Sequence, residues 1–130
     1  MGGRILARSL AVPRGHSQIL LRFGGLGRLR VSCDARAHAR TSFQAGPAQS
    51  VQLTVRAGRG GAVTARRDPG GRFSTPRARG PAQLQTWTLH GWSPTPGPLT
   101  TITVAFGFGP PGSHDCGVTA QGLLATVPSG

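Results

Sequence analysis

The chain breaks into short runs in which apolar and polar residues alternate with period two. In Gly27–Cys33, Leu29, Val31 and Cys33 alternate with Arg28, Arg30 and Ser32. Ala35, Ala37, Ala39, Thr41 and Phe43 then alternate with Arg36, His38, Arg40, Ser42 and Gln44. Strict alternation places successive side chains on opposite faces of a half-buried strand. The run is too long for one ordinary strand, so a turn or bulge is expected near Asp34. Ser50–Ala57 is the cleanest strand of the first half, with Val51, Leu53, Val55 and Ala57 inward and Gln52, Thr54 and Arg56 outward. A weaker strand surrounds Val63, and residues 83–92 (QLQTWTLHGW) read as a strand rich in Thr and Trp, which suit a pleated surface. Leu99–Phe108, with Ile102, Val104, Phe106 and Phe108 inward, and residues 116–127 close the chain as two strands around a Gly-Pro-Pro-Gly turn.

Turn signals separate these runs. They are Gly46-Pro47, the glycines at 58, 60 and 61, the Asp68-Pro69-Gly70-Gly71 stretch and the prolines at 94, 96 and 98. Residues 67–81 read as a loop or short hairpin anchored by Phe73. No segment carries a sustained helical period. Short strands between Gly/Pro turns predict an all-β, antiparallel β-sandwich over residues 27–127. Residues 1–26 read as a flexible basic N-terminal arm, because Arg4, Arg8, Arg14 and Arg22 interrupt its apolar stretches, although a strand over 18–23 is compatible with them. Residues 128–130 are a tail.

Composition changes this picture in one respect. With 130 residues the chain is one domain with a modest core. Its 21 Gly and 11 Pro put it near the border of disorder, so the alternation carries the case for order. The 15 basic residues are all Arg, and Lys, Asn, Tyr and Glu are absent. A GC-rich gene explains Arg in place of Lys. It does not explain the missing Glu or the net charge of +12, which attracts polyanions and anionic surfaces without naming one. A chance reading frame in GC-rich DNA carries the same bias and stands as a second alternative to function. No apolar run is long enough for a membrane-spanning helix or a secretory signal.

Cys33 and Cys116 lie at strand ends, in phase with buried neighbours, which makes a bridge across a sandwich geometrically reasonable. Two buried free thiols are the alternative, and a metal role a third. A loop of this length gives a bridge about 4.5 kcal/mol in the chain-entropy account. A disulfide also implies an oxidising compartment, here secretion or the cell envelope, with the cytoplasm as the alternative.

Over residues 27–127, five features stand in order: GRLRVSC, a Gly-Pro turn into SVQLTV, QTWTL, TTITVAF and a last strand opening CGVTAQGL. In this the chain resembles the small exported immunoglobulin-like β-sandwich proteins of high-GC Gram-positive bacteria. The resemblance implies an immunoglobulin-like fold and a bridge, with no activity and no catalytic residues.

Candidate chemistry is sparse. Ser113-His114-Asp115 has the residue types of a hydrolytic triad, but contiguous residues in a turn cannot supply its geometry, and no G-x-S-x-G is present. Three Asp and no Glu leave few candidates for a two-carboxylate mechanism. His114, Asp115 and Cys116 with His38 or His90 lack metal-site spacing, so no metal or cofactor is expected. Arg56, Arg59, Arg66, Arg67, Arg72, Arg77 and Arg79 form the densest basic stretch and are the candidate polyanion contacts, although only Phe73 could stack there. Trp87 is expected in the core, and Trp92 at the rim. The expectation is a monomeric, non-catalytic, exported or envelope-associated sandwich with a binding or structural role. A basic Arg/Gly-rich nucleic-acid-binding protein is the alternative.

Overall fold

The structure, a computed structural model, describes residues 2–36, 38–47, 50–57, 62–74, 84–93, 99–108 and 115–126. Ten strands follow in chain order: β1 (Gly2–Val12), β2 (Ser17–Arg22), β3 (Gly27–Cys33), β4 (Ala39–Ala45), β5 (Ser50–Ala57), β6 (Val63–Arg67), β7 (Arg72–Ser74), β8 (Leu84–Ser93), β9 (Leu99–Phe108) and β10 (Cys116–Thr126). They form two wholly antiparallel sheets, β1-β10-β9-β8-β5-β6 and β2-β3-β4-β7. The predicted all-β sandwich is therefore the observed fold. Among the described residues, no helix is long and apolar enough to cross a membrane.

The core follows the alternation. Leu29, Val31, Cys33, Thr41 and Phe43 point inward from the four-stranded sheet, and Val51, Leu53, Val55, Trp87, Leu89, Ile102, Val104 and Val118 from the six-stranded one. The chain breaks between β3 and β4 at Asp34, as expected. The Asp34 carboxylate accepts from the backbone N–H of Arg36 and of His38, both at 2.9 Å, and so fixes a tight turn. The side chains of Ala57, Trp92, Phe106 and Phe108 lie outside the described residues.

The N-terminal arm is the main correction. Residues 1–26 were expected to be flexible, yet β1 pairs with β10 along its whole length, β2 pairs with β3, and a 3₁₀ turn over Gly24–Leu26 leads into β3. Val12, Leu20, Leu21, Phe23 and Leu26 are buried. The arginines that broke up the apolar stretches sit where solvent receives them: Arg8 on an edge strand, Arg14 in the turn between β1 and β2, and Arg22 on the outer face of its sheet. A bulge between Ile19 and Leu21 buries both Leu20 and Leu21, which erases the period-two signal locally. The stretch 67–81, expected as a loop or short hairpin, contains β7, which pairs with β4 and whose Phe73 meets Trp87 edge-on at 6.1 Å.

A disulfide and a buried hydrogen bond are among the links that tie the sheets together. Cys33 of β3 and Cys116 of β10 form a disulfide with Cα atoms 5.8 Å apart. Within the core, the Thr41 hydroxyl of β4 donates to Gln85 Oε1 of β8 at 2.6 Å, and Trp87 Nε1 donates to the same oxygen at 3.1 Å. One amide oxygen thus satisfies two buried donors, Thr41 across the sheet interface and Trp87 within β8, which removes the cost of leaving them unpaired.

Two stability changes follow. The Cys33→Ala/Cys116→Ala double variant is expected to lose roughly 2–5 kcal/mol in urea unfolding or to fail to fold. Leu20→Ala is expected to cost about 2–5 kcal/mol, as for a fully buried leucine; a midpoint unchanged from the parent would show that β2 adds nothing to the core.

Candidate anion-binding face

Outward positions on β2, β3, β4 and β7 fall into cross-strand rows. In the first, Arg22 stands opposite Arg28, Arg28 opposite Gln44, and Gln44 opposite Arg72, so one row crosses all four strands with three arginines. In the second, Ile19, Arg30, Ser42 and Ser74 stand in line, and in the third Ser17, Ser32 and Arg40. None of these positions is acidic. Neighbouring strands lie roughly 4.8 Å apart and residues two apart on a strand roughly 6.8 Å, which sets the grid on which the guanidinium groups are planted.

The half-buried arginines are held by neutral partners. Arg28 donates from Nη2 to Gln44 Oε1 at 2.9 Å, and Arg30 from Nη1 to Ser17 Oγ at 3.3 Å. Two depressions that open on this face adjoin Arg28. One, about 280 Å³, is lined by Arg28, Arg30, Arg72, Ser17, Ser42 and Gln44 among others. The other, about 420 Å³, lies at the β2–β3 end and is lined by Arg22, Arg28, Gln44, Gly46 and Gly70 among others. They share Arg28 and Gln44.

The backbone fixes the second depression. Gly46 N–H donates to the Leu26 carbonyl at 3.1 Å, and the Gly46 carbonyl accepts from Gly70 N–H at 3.1 Å. Gly27 holds φ at 133°, a conformation L side chains rarely adopt, and a Cβ there would run into the Gln44 carbonyl oxygen and the Phe43 ring. Glycine is thus needed at the point where the chain enters β3 just before Arg28.

The arginines singled out from the sequence are not brought together. Arg56 and Arg66 point outward from the six-stranded sheet, opposite Thr86 and Gln52 respectively, while Arg72 belongs to the face just described. Arg67 is tied down: it donates to the carbonyls of Arg72 (2.8 Å) and Arg66 (2.9 Å), and its guanidinium lies 5.3 Å from the Phe73 ring centroid. It latches β6 to β7. Arg59, Arg77 and Arg79 lie outside the described residues. Arg22, Arg28, Arg30 and Arg40 were missed because linear density was the criterion. The outward phase of Gly27–Cys33 and Ala39–Ala45 already placed Arg28, Arg30 and Arg40 on one side, and only Arg22 was concealed by the bulge.

The opposite outer surface differs in kind. Thr64, Thr54, Thr88 and Thr101 stand in line across β6, β5, β8 and β9, and Leu123 and Ile5 continue the row to the edge of the sheet. Thr54 and Thr64 hydroxyls lie 3.2 Å apart, and Ser9 and Thr119 hydroxyls 3.0 Å. Ser113 and His114 lie outside the described residues. Among the described residues, no three His, Cys, Asp or Glu side chains gather as metal ligands. Back on the four-stranded side, Asp34 and His38 approach to 3.9 Å beside a further depression of about 330 Å³ lined by Ser17, Ser32 and Arg40 among others.

Comparison with known proteins returned no matching family model, no matching curated protein and no matching solved structure.

Gly27→Ala is expected to destabilise the protein by roughly 1–3 kcal/mol, the usual cost of a side chain forced into a disfavoured backbone region. Thermal unfolding checks this, and an unchanged midpoint would show that the β3 entry relaxes freely.

Proposed function

We infer that this chain is a non-catalytic, exported or envelope-associated sandwich of immunoglobulin-like type whose role is binding or structural. The observation that carries the reading is the Cys33–Cys116 bridge between the two sheets. Disulfides persist in secreted and envelope compartments and are rare where glutathione and thioredoxin keep thiols reduced. A chain with 21 Gly gives up much conformational entropy on folding, so a covalent tie between sheets is a substantial share of what holds it together. The sequence resemblance to exported sandwiches of high-GC Gram-positive bacteria points the same way. A binding role is supported by the cross-strand row of Arg22, Arg28 and Arg72 on the outer face of the four-stranded sheet, a row that contains no acidic residue.

Intact mass tests the compartment. Protein produced in an oxidising compartment and denatured without reductant is expected to be two hydrogens lighter than the reduced chain and to resist thiol alkylation at both cysteines. Full alkylation of Cys33 and Cys116 in correctly folded protein from that compartment would remove the argument for export.

A further inference from the structure

Like charges directly opposite each other on neighbouring strands destabilise a sheet. Arg22 and Arg28 are such a pair, and Arg72 closes the same row beyond Gln44. A protein with only three carboxylates could have placed one here, but Asp34 caps the β3–β4 turn, and Asp68 and Asp115 precede β7 and β10. The fold therefore tolerates an uncompensated cationic row whose cost a bound anion would reverse. Arg28 and Arg30 are half-buried, and the neutral Gln44 and Ser17 side chains hold them in place. Orienting a planar guanidinium without neutralising it leaves its remaining N–H groups available for paired hydrogen bonds to a tetrahedral oxyanion.

We propose that the outer face of the four-stranded sheet binds a linear polysaccharide bearing sulfate or phosphate ester groups. Arg28 stands between two adjacent depressions, Arg22 serves one of them, and Arg30 and Arg72 serve the other. Two depressions that share a wall fit successive units of one chain better than a single small anion. The neutral lining, Ser17, Ser42 and Gln44, supplies donors and acceptors for sugar hydroxyls, which ester groups alone do not require.

Two other polyanion classes fit less well. Single-stranded nucleic acid is held by bases stacked on exposed aromatic rings. Among the described rings on these strands and the turn into β3, Phe23 and Phe43 are buried and Phe73 packs against Trp87 and Arg67. A bilayer presents its headgroups as a plane, and half-buried arginines lining depressions are reached by a chain of single sugar units more readily than by a flat layer. The proposal rests on the binding role inferred above and is independent of where the protein resides.

The test uses the oxidised full chain and a fluorescein-labelled heparin hexasaccharide, read by anisotropy at about 150 mM salt, where long-range attraction between exposed charges is largely screened. A phosphorylated dextran of similar size distinguishes phosphate from sulfate esters. Uncharged dextran, oligo-dT and phosphatidylserine vesicles complete the set. Saturable binding of a charged glycan is expected, weakened about tenfold or more in Arg28→Ala/Arg72→Ala, the equivalent of about 1.4 kcal/mol or more. Arg56→Ala/Arg66→Ala removes the same charge from the opposite face and should leave affinity nearly unchanged. If the first variant does not fold, Arg72→Gln with Ser42→Ala asks the same question from side chains nearer the rim. Equal losses in the two double variants would reduce the effect to net charge and overturn the proposal. So would tighter binding to oligo-dT or to vesicles than to either glycan, or no binding to any probe. An oxidised, folded protein that binds nothing would sink this site and leave the export reading standing.

Discussion

The Cys33–Cys116 bridge is the constraint on which this sandwich depends. The hydrophobic side chains that fill the interior are mostly of moderate size, with Trp87, Phe23 and Phe43 the largest fully buried ones. A core of this kind supports two sheets only if they are held in register face to face. The disulfide does that at one point, between β3 and β10. The Thr41–Gln85–Trp87 hydrogen bonds do it at another, between β4 and β8. The first acts chiefly on the unfolded chain by limiting its freedom. The second acts on the folded one, because a slip of either sheet would break the buried Thr41–Gln85 bond.

Most of the architecture was legible in the chain because one physical rule, alternation on a half-buried strand, governs Gly27–Cys33, Ala39–Ala45, Ser50–Ala57 and much of Leu99–Phe108. The rule fails in two places, for separate reasons. In β2, the bulge after Ile19 buries two leucines in succession, so a period of two is the wrong template. In β1, an edge strand leaves Leu6 and Leu10 only partly covered and Arg8, in the same phase, exposed, and its pairing partner lies at the far end of the chain, so local pattern carries little of the signal. The arginine face escaped notice for a related reason. Its members come from four strands and are separated along the chain, so that only pairing register unites Arg22, Arg28 and Arg72. Of the stretch that looked most basic in linear order, the fold sends Arg56 and Arg66 to one surface and Arg72 to the opposite one.

That division gives the molecule two unlike sides. The four-stranded sheet carries its arginines in cross-strand rows with Ser and Gln between them. The six-stranded sheet presents a row of threonines that runs into Leu123 and Ile5, with Arg56 and Arg66 toward its other edge. Composition alone, with its uniform excess of arginine, conceals this asymmetry, which arises only when alternate residues of each strand are sorted by side.

The pairing of β1 with β10 bears on when the molecule can fold. Ser9 and Thr119, hydrogen-bonded partners, are 110 positions apart, and the bridged cysteines 83. Contacts of such separation form slowly, because the intervening chain must first be closed into a loop. The first strand has no partner until the last has been synthesised, so a nascent chain emerging from the ribosome cannot complete the larger sheet. The larger sheet closes only when β10 is available, and the bridge holds β3 against that same strand.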